Sequence, residues 1–245
     1  MPDRSQPYRG TLELTWTNKH LRLLAEEDGA YQWVPPSDYR VAEVRLLEDA
    51  GTVGKTHSQR ERAKDNLLIR GDALNALTSL GELPEFAKEL VGKVRLAYLD
   101  PPFNTKQSFL DYDDNLEHSV WLTMMRDRLL QIRKLLAKNG SVWVHCDDYE
   151  QAHLRILMNE VFGSENFVAT VLWERQYGQS NIASISISHD YLIVFASDRE
   201  QFLRTRNRLP RTTKQDNAYK NPDKDMRGPW KPGSLDARNY YSKSG

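Results

Sequence analysis

Between residues 66 and 196 short apolar runs alternate with longer stretches of helical periodicity, and that alternation limits the fold more than any other feature of the chain. "LLIR" (67–70), "VRLAYL" (94–99), "SVWVHC" (141–146), "FVATVLWE" (167–174) and "HDYLIVFA" (189–196) have the length and the β-branched or aromatic content of strands. Between them, "DALNALTSL" (72–80) reads as a helix capped by Asp72. "SVWLTMMRDRLLQIRKLLAKNG" (119–140) reads as a long amphipathic helix, with Ser119 placed to cap it, basic residues in its last turns and Gly140 to end it. "YEQAHLRILMNEVFG" (149–163) is a further helix closing on Gly163. Strand–helix alternation of this kind predicts an α/β fold with a mainly parallel sheet.

The flanks differ. Residues 1–60 are polar and irregular, and read as an N-terminal extension with a turn at "VPPSDYR" (34–40) and a strand at "YRVAEVRLLE" (39–48). Residues 61–200 form the core, and residues 201–245 a separate region in which eleven Lys and Arg face four Asp between positions 204 and 243. Tyrosines and a tryptophan are interleaved there, a composition that fits either a solvated tail or a surface whose cations meet phosphates and whose aromatics stack on bases. Overall, 34 basic and 34 acidic side chains cancel, which gives no support to a general polyanion binder. One cysteine, Cys146, excludes an internal disulfide and a cysteine-based zinc cluster. No apolar run approaches the ~20 residues that cross a bilayer, and a soluble, cytoplasmic protein without a membrane partner is the simple reading.

The second apolar run ends on "LDPPFNT" (99–105). Ligands of open α/β sheets bind at the carboxyl ends of strands, so Asp100 is expected to face a crevice. Pro101 and Pro102 fix φ and lack an N–H, which stiffens this backbone and leaves its carbonyls to accept. Phe103 adds a flat apolar face. A carboxylate, a rigid carbonyl and a ring within four residues suit a planar molecule with an exocyclic amino group. One hydrogen goes to Asp100, the other to the Pro101 carbonyl, and the ring stacks on Phe103. A nucleobase amine is such a group, and its lone pair is delocalised and weakly nucleophilic. Two acceptors on its hydrogens localise that lone pair, and their stabilisation grows as positive charge develops during attack. The base has to leave the duplex first, and the aromatic platform offsets part of that cost. An isolated "DPP" is an ordinary strand-to-loop turn. The apolar strand before it and "FNT" after it tip the balance.

"DPPFNT" resembles motif IV of amino-group DNA methyltransferases, which make N6-methyladenine or N4-methylcytosine. "NLLIRGDALNAL", the block from "WLTMMRDRLL" to "FVATVLWE", and "HDYLIVFA" resemble the modification subunits of Type III restriction–modification systems, and "AYKNPDKDMRGPW" resembles the start of their target-recognition region. The resemblance covers about residues 60 to 245. It implies a Rossmann-like, S-adenosylmethionine-dependent methyltransferase sheet, incomplete here, followed by the start of a DNA target-recognition region. Asp100, Pro101, Pro102 and Phe103 become the catalytic target-amine site. Asp72 becomes a carboxylate near the cofactor's adenosine, compatible with its role as a helix cap, and Asn104 and Thr105 shape the loop on the cofactor side. His145 and Asp147 end a strand beside the pocket and read as structural, Cys146 packs as a small apolar side chain, and His189 and Asp190 fix a strand start. Double-stranded DNA is the implied partner, with a restriction subunit and a second copy of the chain as the further partners of such subunits. Adenine is favoured. N4-cytosine methylation and an inactive DNA- or subunit-binding remnant are the alternatives.

Two other readings fall away. "DAGTVGKT" (49–56) has Asp49 where a phosphate-binding loop needs glycine, and "HSQRERAKD" follows instead of an apolar-faced helix. The six histidines are scattered, without a pair at helical ligand spacing beside a carboxylate, so no metal is expected.

Enzymes with this motif order place a glycine-rich "FxGxG" cofactor loop after the recognition region, and no such sequence occurs here. The resemblance therefore describes a piece of a longer enzyme. Titration calorimetry of residues 1–245 with S-adenosylmethionine is expected to show weak binding or none, and methyl transfer to DNA by this chain alone would contradict the reading.

Overall fold

The computed structural model describes residues 12–26, 30–57, 65–104, 107–108, 113–114, 117–175 and 188–231. They divide after Thr205 into two compact units. The first begins with a hairpin, β1 (Arg22–Ala25) and β2 (Tyr31–Val34), and a one-turn helix, α1 (Tyr39–Ala42). Helices α2 (Ala73–Glu82) and α3 (Pro84–Leu90) lead into β3 (Val94–Leu99). A two-residue pair follows, β4 (Gln107–Ser108) with β5 (Asp113–Asp114). Then come α4 (His118–Leu135), β6 (Leu136–Cys146), α5 (Gln151–Phe162), β7 (Phe167–Glu174), β8 (His189–Ala196) and α6 (Arg199–Thr205).

The main sheet has the order β3-β6-β8-β7. β3, β6 and β7 run in one direction and β8 in the other, so of the neighbouring pairs β3–β6 is parallel and both pairs that involve β8 are antiparallel. The expectation of a mainly parallel sheet is thus corrected to a mixed one. β6 and β7, which α5 joins, both run opposite to β8, which lies between them. Alternation along β6 sends Val142, Val144 and Cys146 into the core and leaves Trp143 and His145 on the other face. The core lies against α4 and α5, where Trp121, Met125, Leu129, Leu154, Leu157 and Met158 are fully or almost fully buried. Side chains of this kind each contribute about 1.5–3 kcal/mol by leaving water.

Of the five strands expected between residues 66 and 196 four form, three of them with the expected bounds and the fourth inside the longer β6. The fifth does not. Residues 67–70 are irregular, with Leu67 and Leu68 exposed, because a four-residue run is marginal unless a neighbour pairs with it and β3 has its sheet partner on the β6 side. Residues 39–48 do not form a strand either. Asp38 accepts from the Arg40 backbone N–H at 3.0 Å and starts α1 instead. The long helix begins after Glu117, not at Ser119, which is buried, and it stops at Leu135. Gly140 therefore lies inside β6. A Cβ there would sit 2.6 Å from the Val94 carbonyl oxygen, so this glycine permits the close approach of β3 and β6 and does not cap a helix. Gly163 does end α5, at φ +89°.

The described part of the N-terminal stretch, from residue 12, is docked on the core. Trp16 donates its indole N–H to Thr123 Oγ1 at 2.8 Å, and Arg126 donates to the carbonyls of Lys19 and Leu21. Asp127, buried in α4, takes Arg22 Nη1 at 2.5 Å and Arg126 Nε at 2.8 Å. Leu14, Trp16 and Leu23 pack onto the core.

The second unit is described to residue 231. It holds α7 (Thr213–Asn217), which opens with a capping box between Thr212 and Gln215. Lys220 and Trp230 exchange backbone hydrogen bonds of 2.9 and 2.8 Å, and Trp230 Nε1 donates to Asp223 at 2.9 Å. The described part of the basic region is thus tied by its own contacts. No helix among the described residues is long and apolar enough to cross a membrane.

Burial, with the nearby Asp147, pushes the Cys146 thiol up to about 12. At pH 8 roughly one thiol in ten thousand is then a thiolate, the reactive form. Iodoacetamide at pH 8 is expected to leave Cys146 unmodified in the folded chain and to modify it fully in 6 M guanidinium, read by mass spectrometry.

Candidate active site

The parallel register pairs Leu99 with Val144, so Asp100 leaves β3 beside His145 near the end of β6. Asp100 Oδ1 lies 3.3 Å from His145 Nδ1, and the carboxylate is 67% exposed. His145 Nε2 lies 3.4 Å from Asp190 Oδ2 without hydrogen-bond alignment. Asp190, buried at the start of β8, is 3.3 Å from Arg175 Nη1. A line of alternating carboxylates and bases, Asp100–His145–Asp190–Arg175, thus crosses the ends of four strands. Only its first member presents its carboxylate largely to solvent.

The loop after Asp100 is clamped at two points. The fully buried Trp121 donates its indole N–H to the Pro102 carbonyl at 2.7 Å. Asn104 takes a left-handed backbone, φ +61°, and donates its side-chain amide to Glu150 Oε1 at 2.6 Å. Between the clamps the Phe103 ring meets His145 edge-on, with centroids 4.9 Å apart. Two prolines and two inward hydrogen bonds fix the backbone that carries Asp100, while Phe103 remains half-buried.

The four expected target-amine residues are therefore contiguous on one anchored corner. The expected cofactor-side residues are dispersed. Asp72 Oδ1 accepts from the backbone N–H groups of Leu74 and Asn75, which realises the helix cap, and Oδ2 pairs with Arg128 at 2.6 Å. Asn104 points inward, in keeping with shaping the loop. Thr105 lies outside the described residues. Asp147 caps its own turn through the Tyr149 N–H at 2.9 Å.

Sequence reasoning missed Trp121, Glu150, His118 and His153. Glu150 precedes α5 and is fully buried; His118 Nδ1 and His153 Nδ1 lie 2.7 and 3.0 Å from its two oxygens. These three residues bring ligand-type atoms within 4.8 Å of one another, a grouping invisible to a search for histidine pairs because His118 comes from another helix. Only the placement of Glu150 one residue before an amphipathic helix hinted at it.

Residues 94–243 match the family of N6/N4 DNA methylases. The chain belongs to that family. It is 41% identical over 151 residues to the "Probable type III restriction-modification enzyme HindVI Mod subunit" of Haemophilus influenzae, covering 60% of this chain and 19% of that one. It is 28% identical over 223 residues to the type III restriction-modification enzyme EcoP15I Mod subunit of Escherichia coli, covering 78% of this chain and 31% of that one. The chain thus spans under a third of the length of these two relatives. Among solved structures, the M1.HpyAVI complex with SAM has a TM-score of 0.38 at 11% identity over 59% of this chain and 60% of that one.

Trp121→Phe keeps a ring in the core and removes the donor from the Pro102 carbonyl. A loss of about 1–3 kcal/mol in urea unfolding is expected, together with faster amide exchange at Phe103 and Asn104. Unchanged exchange at those two amides would show that the indole does not clamp the loop.

Proposed function

We propose that the chain carries the target-base half of a DNA methyltransferase that adds a methyl group to the N6 amine of adenine, within a restriction–modification system. The observation that carries this reading is the exposed Asp100 carboxylate on a doubly anchored loop at the carboxyl end of β3. Family membership and the similarity to Mod subunits of type III restriction-modification enzymes support it. On the family's chemistry DNA, taken as duplex, is the substrate, and on the likeness to Mod subunits a restriction subunit is the partner. The basic unit that begins at Arg206 is the start of the segment that selects the DNA site.

Asp100 and the Pro101 carbonyl accept the two hydrogens of the amine, and Phe103 lies against the base ring. As the new N–C bond forms, positive charge builds on the nitrogen, and the Asp100 carboxylate stabilises it and holds the proton that must leave. When bound, S-adenosylmethionine supplies the electrophilic methyl group. Among the described residues, Asp72 fits the adenosine side of that molecule. Its carboxylate is partly exposed, and the cap and Arg128 leave acceptor capacity on Oδ2.

The test joins this chain to the part of the Haemophilus relative that lies beyond the matched segment, incubates it with duplex DNA and tritiated S-adenosylmethionine, and identifies the modified base by mass spectrometry. N6-methyladenine is expected, and Asp100→Ala is expected to lower kcat by about 10²–10³-fold. N4-methylcytosine would reassign the base. Activity surviving Asp100→Ala would remove the assigned chemistry.

A further inference from the structure

We infer that Glu150 is the positioning residue of the target-amine loop and acts through Asn104. The inference rests on the reading that Asp100 to Phe103 hold the amine. Glu150 is fully buried at the junction of three elements, and each gives it one donor: Asn104 Nδ2 from the loop after β3, His118 Nδ1 from the first turn of α4, and His153 Nδ1 from α5. None of the three is a permanent cation. A buried carboxylate served only by such donors is an expensive way to hold two helices together, since an apolar side chain of similar size does that more cheaply. What the carboxylate supplies, and an apolar group does not, is direction. Its Oε1 fixes the side chain of Asn104, which has a left-handed backbone.

The chemistry needs that direction. Asn104 is four residues from Asp100, and Pro101 and Pro102 transmit its orientation with little slack. A rotation at residue 104 swings the Asp100 carboxylate and the Phe103 ring together, and misplacement of about an ångström costs rate without preventing binding. Glutamine at 150 is not equivalent, because its NH2 group would face donors where the carboxylate accepts.

Two measurements test this, both in EDTA because the three groups could also hold a metal. In the isolated chain, the Asn104 side-chain amide resonances are expected to shift and broaden in Glu150→Gln. Unchanged resonances would overturn the inference, as would Asn104 resonances in the unaltered chain that take their position only when zinc replaces the EDTA. In the longer polypeptide described above, Asn104→Ala and Glu150→Ala are each expected to lower kcat by about tenfold or more with KM within about twofold, and the double variant to fall no further than either single one. Losses that multiply would show that Glu150 does not act through Asn104. Should Glu150→Ala fail to fold, Asn104→Asp sets two carboxylates against each other and is expected to lose a similar factor. Adding Glu150→Gln, which restores a donor and an acceptor in reverse order, is expected to recover about fivefold; no recovery would overturn the inference. If the unaltered polypeptide transfers no methyl group, the amine-site reading fails while the resonances still decide whether Glu150 anchors the loop.

Discussion

The parallel pairing of β3 with β6 is the constraint on which the rest depends. It is set where the two strands begin: the absent Cβ of Gly140 lets its backbone pass the Val94 carbonyl, and a register shift follows between Val94 and Leu96. From there the pairing runs without interruption to Leu99 and Val144. Because side chains alternate with a period of two, a slip of one residue would turn Val142 and Val144 out of the core and His145 into it. The core and the site are therefore one decision. The register that buries Val144 also sets Asp100 beside His145.

The sequence revealed this corner better than it revealed the sheet around it. Asp100, Pro101, Pro102 and Phe103 are contiguous, so an amine-site proposal could be framed without knowing what they pack against. "VRLAYL", "FVATVLWE" and "HDYLIVFA" announced strands, but strand direction is not written in a single run. The antiparallel course of β8 depends on the path between β7 and β8. Gly140 shows a second limit. A glycine following lysine-rich helical residues looks like a helix end, and its actual reason, the Val94 carbonyl, is 46 residues away in sequence. Leu67 and Leu68 show a third, since hydrophobic composition without a pairing neighbour leaves an exposed irregular segment.

The polar half of the site was illegible for the same reason. Glu150 gathers partners 46 and 32 residues distant as well as one three residues on, and Trp121 reaches back 19 residues to Pro102. No spacing rule within one helix collects such a set. Each partner is ordinary where it stands in the chain: a helix-start glutamate, a histidine on a polar turn, a tryptophan on an apolar face. They acquire a common purpose only when α4 and α5 pack side by side against the sheet.

Three carboxylates lie on this network, and their burial separates their roles. Glu150 accepts three hydrogen bonds and has no access to solvent, so it faces its own neighbours and not an incoming base. Asp190 is buried between Arg175 and His145, and it balances charge at the strand ends. Asp100 differs from both. Its oxygens stand mostly in water while its backbone is held by two prolines and by clamps on either side of Phe103. A free carboxylate on a mobile loop would have to be oriented by its ligand, at an entropic cost. A saturated one on a rigid loop could not take a ligand at all. Of the three, Asp100 alone joins unspent acceptor capacity to a fixed position, the combination that the proposed amine chemistry requires if binding energy is to act on the ligand and not on ordering the protein.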